Sequence, residues 1–366
     1  MNDRNQTLLR TAILFLTASL LATASIAQTA EPATPTVRFG GFVDGYYAWN
    51  ANSPDSHENF VPGTGTSAKR SNEAALNLVA LEFSRDAAPV GFKLSLVAGN
   101  GADIVHAGEP QGTATGSETF RHIYEASITY KASDRLTLKG GVFPSHIGME
   151  GFFSKDNWNY TRSWLGEFSP YYQTGVHAGY VFTDHWSGEL HVLNGWQIIG
   201  ENNDSKSIGG KIAYNSETLS ASLNTFNGPE LANNDDDWRH FGNLLVAYKP
   251  TSKLSLGGSL DLGHQELPGS ASADWTGVGA YARYAMNDCA AFAVRAEQFD
   301  DPDNGITGTA QKLREMTVTY EFRPVANLIL KIEGRHDRST AAVFKKDADN
   351  FGRKQTLLIV GAVATF

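Results

Sequence analysis

Strict alternation between large apolar side chains and full charges constrains the fold of this chain more than any other feature. In residues 314–335, REMTVTYEFRPVANLILKIEGR, Met316, Val318, Tyr320 and Phe322 alternate with Glu315, Thr317, Thr319 and Glu321. Beyond Pro324, Leu328, Leu330 and Ile332 alternate with Lys331, Glu333 and Arg335. Successive side chains of a strand point to opposite faces, so this stretch has one greasy face and one ionised face. The same period predicts sixteen strands, near 37–50, 73–85, 89–99, 120–131, 135–143, 173–183, 186–196, 206–215, 217–227, 239–249, 253–263, 273–286, 289–299, 311–323, 327–337 and 355–366. Helical periodicity is scarce, and 36 glycines suit closely packed strands better than helices.

The two faces differ in kind along the whole chain. One carries Leu94, Leu96, Ile128, Leu138, Leu190, Val192, Leu223, Leu256 and Leu260. The other carries Asp44, Glu82, Lys93, Glu125, Lys139, Glu189, His191, Lys211, Asp261, Arg283, Arg295, Glu297, Glu315, Lys331, Glu333 and Arg335. A soluble β-core would have to expose the first set or bury the second, and burying unpaired ions costs several kcal/mol each. A barrel with its apolar face in lipid and its charges around a watery lumen avoids both costs. The final strand, TLLIVGAVATF, departs from this on its inner face, where Leu357, Ile359 and Val363 predict a covering loop or N-terminal segment.

Connections alternate in length. Seven are tight (86–89, 132–134, 183–185, 215–216, 250–252, 286–288, 324–327). Eight are long and polar (51–72, 100–119, 144–172, 197–205, 228–238, 264–272, 301–310, 338–354). One end of the sheet therefore holds all the short turns, as in an antiparallel up-and-down transmembrane β-barrel with short periplasmic turns and long external loops. Each strand running to the tight end finishes on an aromatic: Phe83, Tyr130, Phe182, Tyr214, Tyr248, Tyr284, Phe322 and Phe366. Aromatic rings settle at membrane–water boundaries, so these eight predict a girdle. The C-terminal Phe366 on an alternating strand resembles the signal read by barrel-assembly machinery.

Residues 1–27 read as a cleaved signal peptide: Arg4 and Arg10, an apolar run, then Ser25 and Ala27 before the cut. A short periplasmic segment, 28–36, then leads into the barrel at 37–366. The formal charge is −9, and loss of Asp3, Arg4 and Arg10 leaves the rest one unit more negative, which opposes nucleic-acid binding. One cysteine, Cys289, allows no intramolecular disulfide. The expected setting is the outer membrane of a Gram-negative bacterium, with lipid and lipopolysaccharide around the barrel.

Residues 140–180 carry a family resemblance. Gly141–Phe143, Ile147–Glu150, Asn157–Asn159, Ser163–Leu165, Pro170–Tyr171 and Thr174–Gly175 resemble the pattern of the OmpL-like outer-membrane porins, the β-barrel porin-2 family, and RFGGFVDGYYAWN resembles that family's first strand. The resemblance implies a pore for small solutes. Residues 144–172 form the third external loop, which in general porins folds into the barrel and narrows it. By that analogy Glu150, Lys155, Asp156, Arg162 and Glu167 are constriction candidates, and the loop's eight aromatics (Phe152 to Tyr172) would pack it against the wall.

No Gly-x-Ser-x-Gly, His-Glu-x-x-His or phosphate-binding loop is present, so no catalytic residue and no cofactor are expected. His177 and His191 can approach each other across adjacent strands and are read as solvated, with no metal. The acidic runs 233–238 and 300–305 are read as solvated turns. The expected function is passive diffusion of small hydrophilic solutes or ions, with a mild cation preference from the acidic external loops and association into a homotrimer. The alternatives are a structural or adhesive barrel with a blocked lumen and an outer-membrane enzyme.

Overall fold

A computed structural model describes residues 36–110, 120–347 and 350–366. The signal peptide reading and most of the 28–36 segment lie outside these residues, as does 111–119 in the second long connection. The strands are β1 (Arg38–Asn50), β2 (Ala74–Arg85), β3 (Val90–Ala98), β4 (Ile123–Lys131), β5 (Leu136–Pro144), β6 (Tyr172–Val181), β7 (Trp186–Leu193), β8 (Ser207–Asn215) and β9 (Leu219–Pro229). They continue as β10 (Trp238–Tyr248), β11 (Leu254–Leu267), β12 (Ala271–Asn287), β13 (Ala290–Asp301), β14 (Gln311–Val325) and β15 (Leu328–Ser339), then β16 (Phe344–Lys345), β17 (Phe351–Gly352) and β18 (Lys354–Thr365). All but β16 and β17 form one closed antiparallel barrel in which each strand pairs with its neighbour in the chain. These sixteen are the strands the alternation predicts. β16 and β17 make a small ladder inside the last external loop.

β18 closes the barrel between β15 and β1, with Phe42 opposite Thr365 and Asn50 opposite Leu357. Gly41 and Phe366 exchange two backbone hydrogen bonds of 3.1 Å at the end of this seam. Closure leaves no strand edge unpaired, which a hydrocarbon environment requires.

The outer face is the greasy one. Leu223, Leu260, Val278, Val318, Ile332 and Val360 are exposed, while their inward neighbours Asn224, Asp261, Thr317, Thr319, Glu333 and Ile359 are buried. All eight terminal aromatics stand on this outer face at the tight-turn end. Six are exposed, and Phe83 and Tyr214 are half-buried against Phe39 and Trp186.

Two expectations need correction. Residues 264–272 are not a long loop: β11 and β12 extend to Leu267 and Ala271, and the chain turns in Pro268, Gly269 and Ser270, the last two at positive φ. Both faces there are polar, so the alternation loses its contrast although the ladder continues from His264–Asp274 to Leu267–Ala271. Secondly, the inner face is polar only in part. Towards the external ends it presents Phe226, Phe241, Trp275, Phe299, Leu313, Leu357 and Ile359, which pack with loop residues Phe60, Tyr160, Trp164, Trp196 and Phe344 into one apolar cluster inside the barrel. A second cluster joins Phe42, Tyr124, Ile329 and Val363 to Phe152, Phe153 and Tyr171. The apolar inner face of β18 is thus covered by the first and third loops. Gly361 makes room for this: a Cβ there would meet the Tyr160 ring at 2.4 Å.

Candidate functional site in the barrel interior

The third loop, between Pro144 and Tyr172, lies inside the barrel because its aromatics and its backbone both find partners there. Its aromatics supply the apolar clusters just described. Its backbone polar groups, which would otherwise be buried without partners, are met by the charged wall.

Two short turns organise the loop. A 3-10 turn at Ser154–Asp156 sits over β1 and β15, where Lys331 Nζ donates to the carbonyls of Ser154 (2.8 Å) and Asn157 (2.5 Å). Asp44 accepts from Tyr160 Oη (2.7 Å), Asn77 (2.9 Å) and Ser154 Oγ. A helical turn at Trp164–Glu167 is N-capped by Ser163, whose Oγ accepts from Gly166 N at 2.9 Å. Glu297 accepts from Trp164 N (2.6 Å) and Leu165 N (3.2 Å), and Glu150 from Ser163 N (2.7 Å). Carboxylates at a helix start satisfy N–H groups that have no partner within the helix.

Between these turns the loop is gripped from three strands. Glu333 accepts from Thr161 N (3.0 Å), Thr319 Oγ1 (2.7 Å), Tyr160 N and Thr161 Oγ1. Arg295 pairs with Glu315 (3.0 Å) and Glu150 (2.7 Å) and donates to the Thr161 carbonyl (2.6 Å). Arg335 pairs with Asp337 (2.9 Å), donates to the Arg162 carbonyl, and lies over the rings of Phe60 and Trp164, 4.8 and 4.9 Å from their centroids. Farther round the wall, Gly148 N reaches Asn243 (3.3 Å) and Ser169 Oγ reaches Asp261 (3.4 Å).

The five constriction candidates divide. Glu150 is spent on Arg295 and the helix start. Arg162 is fully buried, donates to Ser67 Oγ (2.9 Å) and the Tyr160 carbonyl (3.2 Å), and leaves Nε and Nη2 without a partner among the described residues. Glu167 turns outward to the first loop and accepts from Gly65 N (2.9 Å) and Thr66 Oγ1 (2.8 Å); burial pushes its carboxyl above the usual range against these donors. Lys155 and Asp156 pair with each other at 2.9 Å, with Asp156 exposed and Lys155 half-buried.

The wall charges divide too. Asp44, Asp261, Arg295, Glu297, Glu315, Lys331, Glu333 and Arg335 are buried by the loop or its neighbours. On the opposite arc, β2–β8, Lys93 lies 3.3 Å from Glu82 and 3.5 Å from Glu125, Lys139 lies 3.5 Å from Glu125, and Lys211 lies 3.8 Å from Glu189, which accepts from His191 at 3.0 Å. Apart from Glu125 and His191 these side chains are a quarter to two-fifths exposed. Arg283, joined to Glu321 at 3.1 Å, is similar. At the external end, a cavity of about 340 Å³ is lined by Thr64, Glu167, Phe168, Trp196, Arg239 and Thr307, among others. Arg239 packs 5.3 Å from the Trp196 ring centroid there.

Sequence reasoning missed the neutral anchors Asn77, Ser154, Thr161 and Asn243, which no pattern flags. It also passed over Asp337, although that residue follows Arg335 by two on the same face, and Arg239 at the external cavity.

Comparisons with solved structures agree with this architecture. The outer membrane channel DcaP of Acinetobacter baumannii superposes with a TM-score of 0.60 at 14% identity, covering 93% of this chain and 100% of its own. An anion-selective porin from Comamonas acidovorans gives 0.58 at 13% identity, covering 90% and 99%. The trimer form of OmpT, an outer membrane protein of Vibrio cholerae, gives 0.57 at 9% identity, covering 91% and 100%. At these identities the likeness is one of fold. A search of curated proteins finds no significant match. A family model does match, over residues 36–366, and by that match this outer-membrane barrel belongs to the family described as "Putative beta-barrel porin-2, OmpL-like".

Proposed function

We propose that the barrel conducts small hydrophilic solutes and ions passively, through a path that the third loop displaces towards the β2–β8 arc, and that it catalyses no reaction. One observation carries this reading: the loop buries the charges of β13–β15, while Glu82, Lys93, Lys139, Glu189 and Lys211 on the opposite arc keep access to water. The external cavity at Arg239 and Trp196 is the entry, and the arc of Lys93, Lys139 and Lys211 with its paired carboxylates is the lower wall. Acids and bases alternate along that arc, so ion preference is mild. The acid-rich external loops tilt it towards cations by steering.

A second reading has its own support, because residues of the first, third, fourth and last external loops form an apolar cluster inside the external half of the barrel. A barrel plugged there would be structural or adhesive. Conductance in a planar bilayer separates the two. The pore reading expects discrete conducting steps with a weakly cation-selective reversal potential. A folded, inserted barrel that passes no current is the plugged one. Deletion of residues 150–168 is expected to raise conductance severalfold, since the β-ladders do not depend on the loop and its wall charges can be hydrated by lumen water. An unchanged conductance would remove the third loop from the mechanism, and clear anion preference would overturn the selectivity.

A further inference from the structure

We infer that His177, Glu189 and His191 form a binding site for a divalent transition-metal ion of the zinc, nickel or copper type on the inner wall of the barrel. Topology brings the three together. His177 on β6 pairs directly with His191 on β7, and Glu189 lies two residues before His191 on the same face. Directly paired residues hold their Cβ atoms about 4.5–5.5 Å apart, and i,i+2 residues share a face. Two imidazoles and a carboxylate thus converge from three corners of one patch of rigid sheet.

One candidate ligand atom from each residue lies within 4.8 Å of the other two. Bonds of about 2.0–2.2 Å in a tetrahedron place ligand atoms roughly 3.3 Å apart, so binding requires the imidazole rings to turn out of their stack and the 3.0 Å contact between His191 Nε2 and Glu189 to give way to the ion. The two histidine rings are stacked, their centroids 4.7 Å apart. The Nδ1 atoms of both His177 and His191 are buried and have no hydrogen-bond partner among the described residues. The His191 side chain is only 2% exposed, and an unmet polar atom at such depth is costly unless something binds it. A metal ion uses lone pairs of this kind, and mixed imidazole and carboxylate donors suit zinc, nickel and copper rather than calcium or magnesium.

The surroundings set the site's limits. Glu189 is partly exposed and opens the site to lumen water, which would complete the coordination. Lys211 Nζ, 3.8 Å from Glu189, and Lys139, paired across the strand with His177, are the competing cations. The third loop's His146 stacks on His191 at 4.1 Å from the other side, but its two ring nitrogens are engaged by Gln173 (2.8 Å) and the Thr225 carbonyl (3.0 Å). It therefore packs against the site without ligating.

The test is zinc binding to the folded, detergent-solubilised barrel, by equilibrium dialysis in excess magnesium to saturate oxygen-only loop sites. The site predicts one zinc ion per chain, an affinity at least tenfold weaker in both His177→Ala and Glu189→Gln, and loss of binding in the double variant His177→Ala/His191→Ala. Zinc X-ray absorption of the unmodified barrel would show two imidazoles, a result that does not depend on any variant folding. Zinc-dependent elevation of the melting temperature should vanish in His177→Ala. Absence of stoichiometric zinc, or zinc retained in full by the double variant, overturns the proposal. Because binding and absorption are read without current, neither outcome bears on whether the barrel conducts.

Discussion

Replacing Arg295 by methionine is expected to destabilise the barrel by about 3–5 kcal/mol and to free the third loop, the cost of breaking a buried ion pair and leaving its partner behind. Arg295 is fully buried and carries three separate tasks: it neutralises Glu315, neutralises Glu150, and holds the Thr161 carbonyl. Glu150 in turn caps the helical turn at Trp164, so the change reaches the part of the loop that packs against Phe60 and the Arg335 guanidinium. Denaturant titration of the barrel in lipid vesicles would read the lost stability. Single-channel records should show larger and noisier current as the loop samples the lumen. The double variant Arg295→Met/Glu315→Gln removes one of the two stranded carboxylates and should recover part of the midpoint. An unchanged midpoint in the single variant would mean that water solvates Glu315 and Glu150 freely, and that the loop is held by its aromatics alone.

That prediction depends on a division of labour along the wall that the sequence shows only in part. The strands were legible because each combined period two with a maximal contrast between faces: hydrocarbon on one side, ions on the other. The contrast fades above the membrane. His264, Gln265 and Glu266 continue β11, but with polar groups on both faces they read as loop. It fades again where the inner face is apolar, as at Trp275, Phe299 and Leu313, because those positions receive loops instead of water. Leu357 and Ile359 did announce a covering segment, since β18 is the one strand whose inner face is apolar nearly throughout.

What the sequence could not reveal is which inner charges meet the third loop. Arg295 and Lys93 look alike in a period-two pattern. One is buried beneath Thr161, the other stands partly hydrated beside Glu82. The difference arises from where the 3-10 turn at Ser154 and the helical turn at Trp164 come to rest, far from either residue in the chain. Their capping groups are neutral and short, and no spacing rule marks Thr161 or Tyr160 as a partner of Glu333. That His177 and His191 can meet across adjacent strands was visible in the sequence. The pair's burial and its unpartnered nitrogens were not, because they depend on the third loop laying His146, and β5 laying Phe143, over it.

The orientation of the wall sets the second large effect. Val318→Arg should destabilise the inserted barrel by about 2–4 kcal/mol, the cost of a cationic side chain at the bilayer midplane on a lipid-facing strand position. Val318 is exposed on the outer face of β14, paired with Val294 and Gly334. The girdle residue Phe322 lies four residues below it on this face, and Arg314, joined to Gln298 at 2.9 Å, lies four above. At about 3.3 Å per residue and a tilt near 40°, that span is roughly 20 Å of apolar wall with Val318 at its centre. The same substitution at Lys312, already charged and beyond the apolar band, should leave the denaturation midpoint unchanged. Refolding into vesicles of different acyl-chain length gives the control, because the penalty should fall as the bilayer thins and arginine reaches the interface. A Val318→Arg barrel as stable as the parent would place water, not lipid, on the greasy face, and the inward assignment of every wall charge would fall with it.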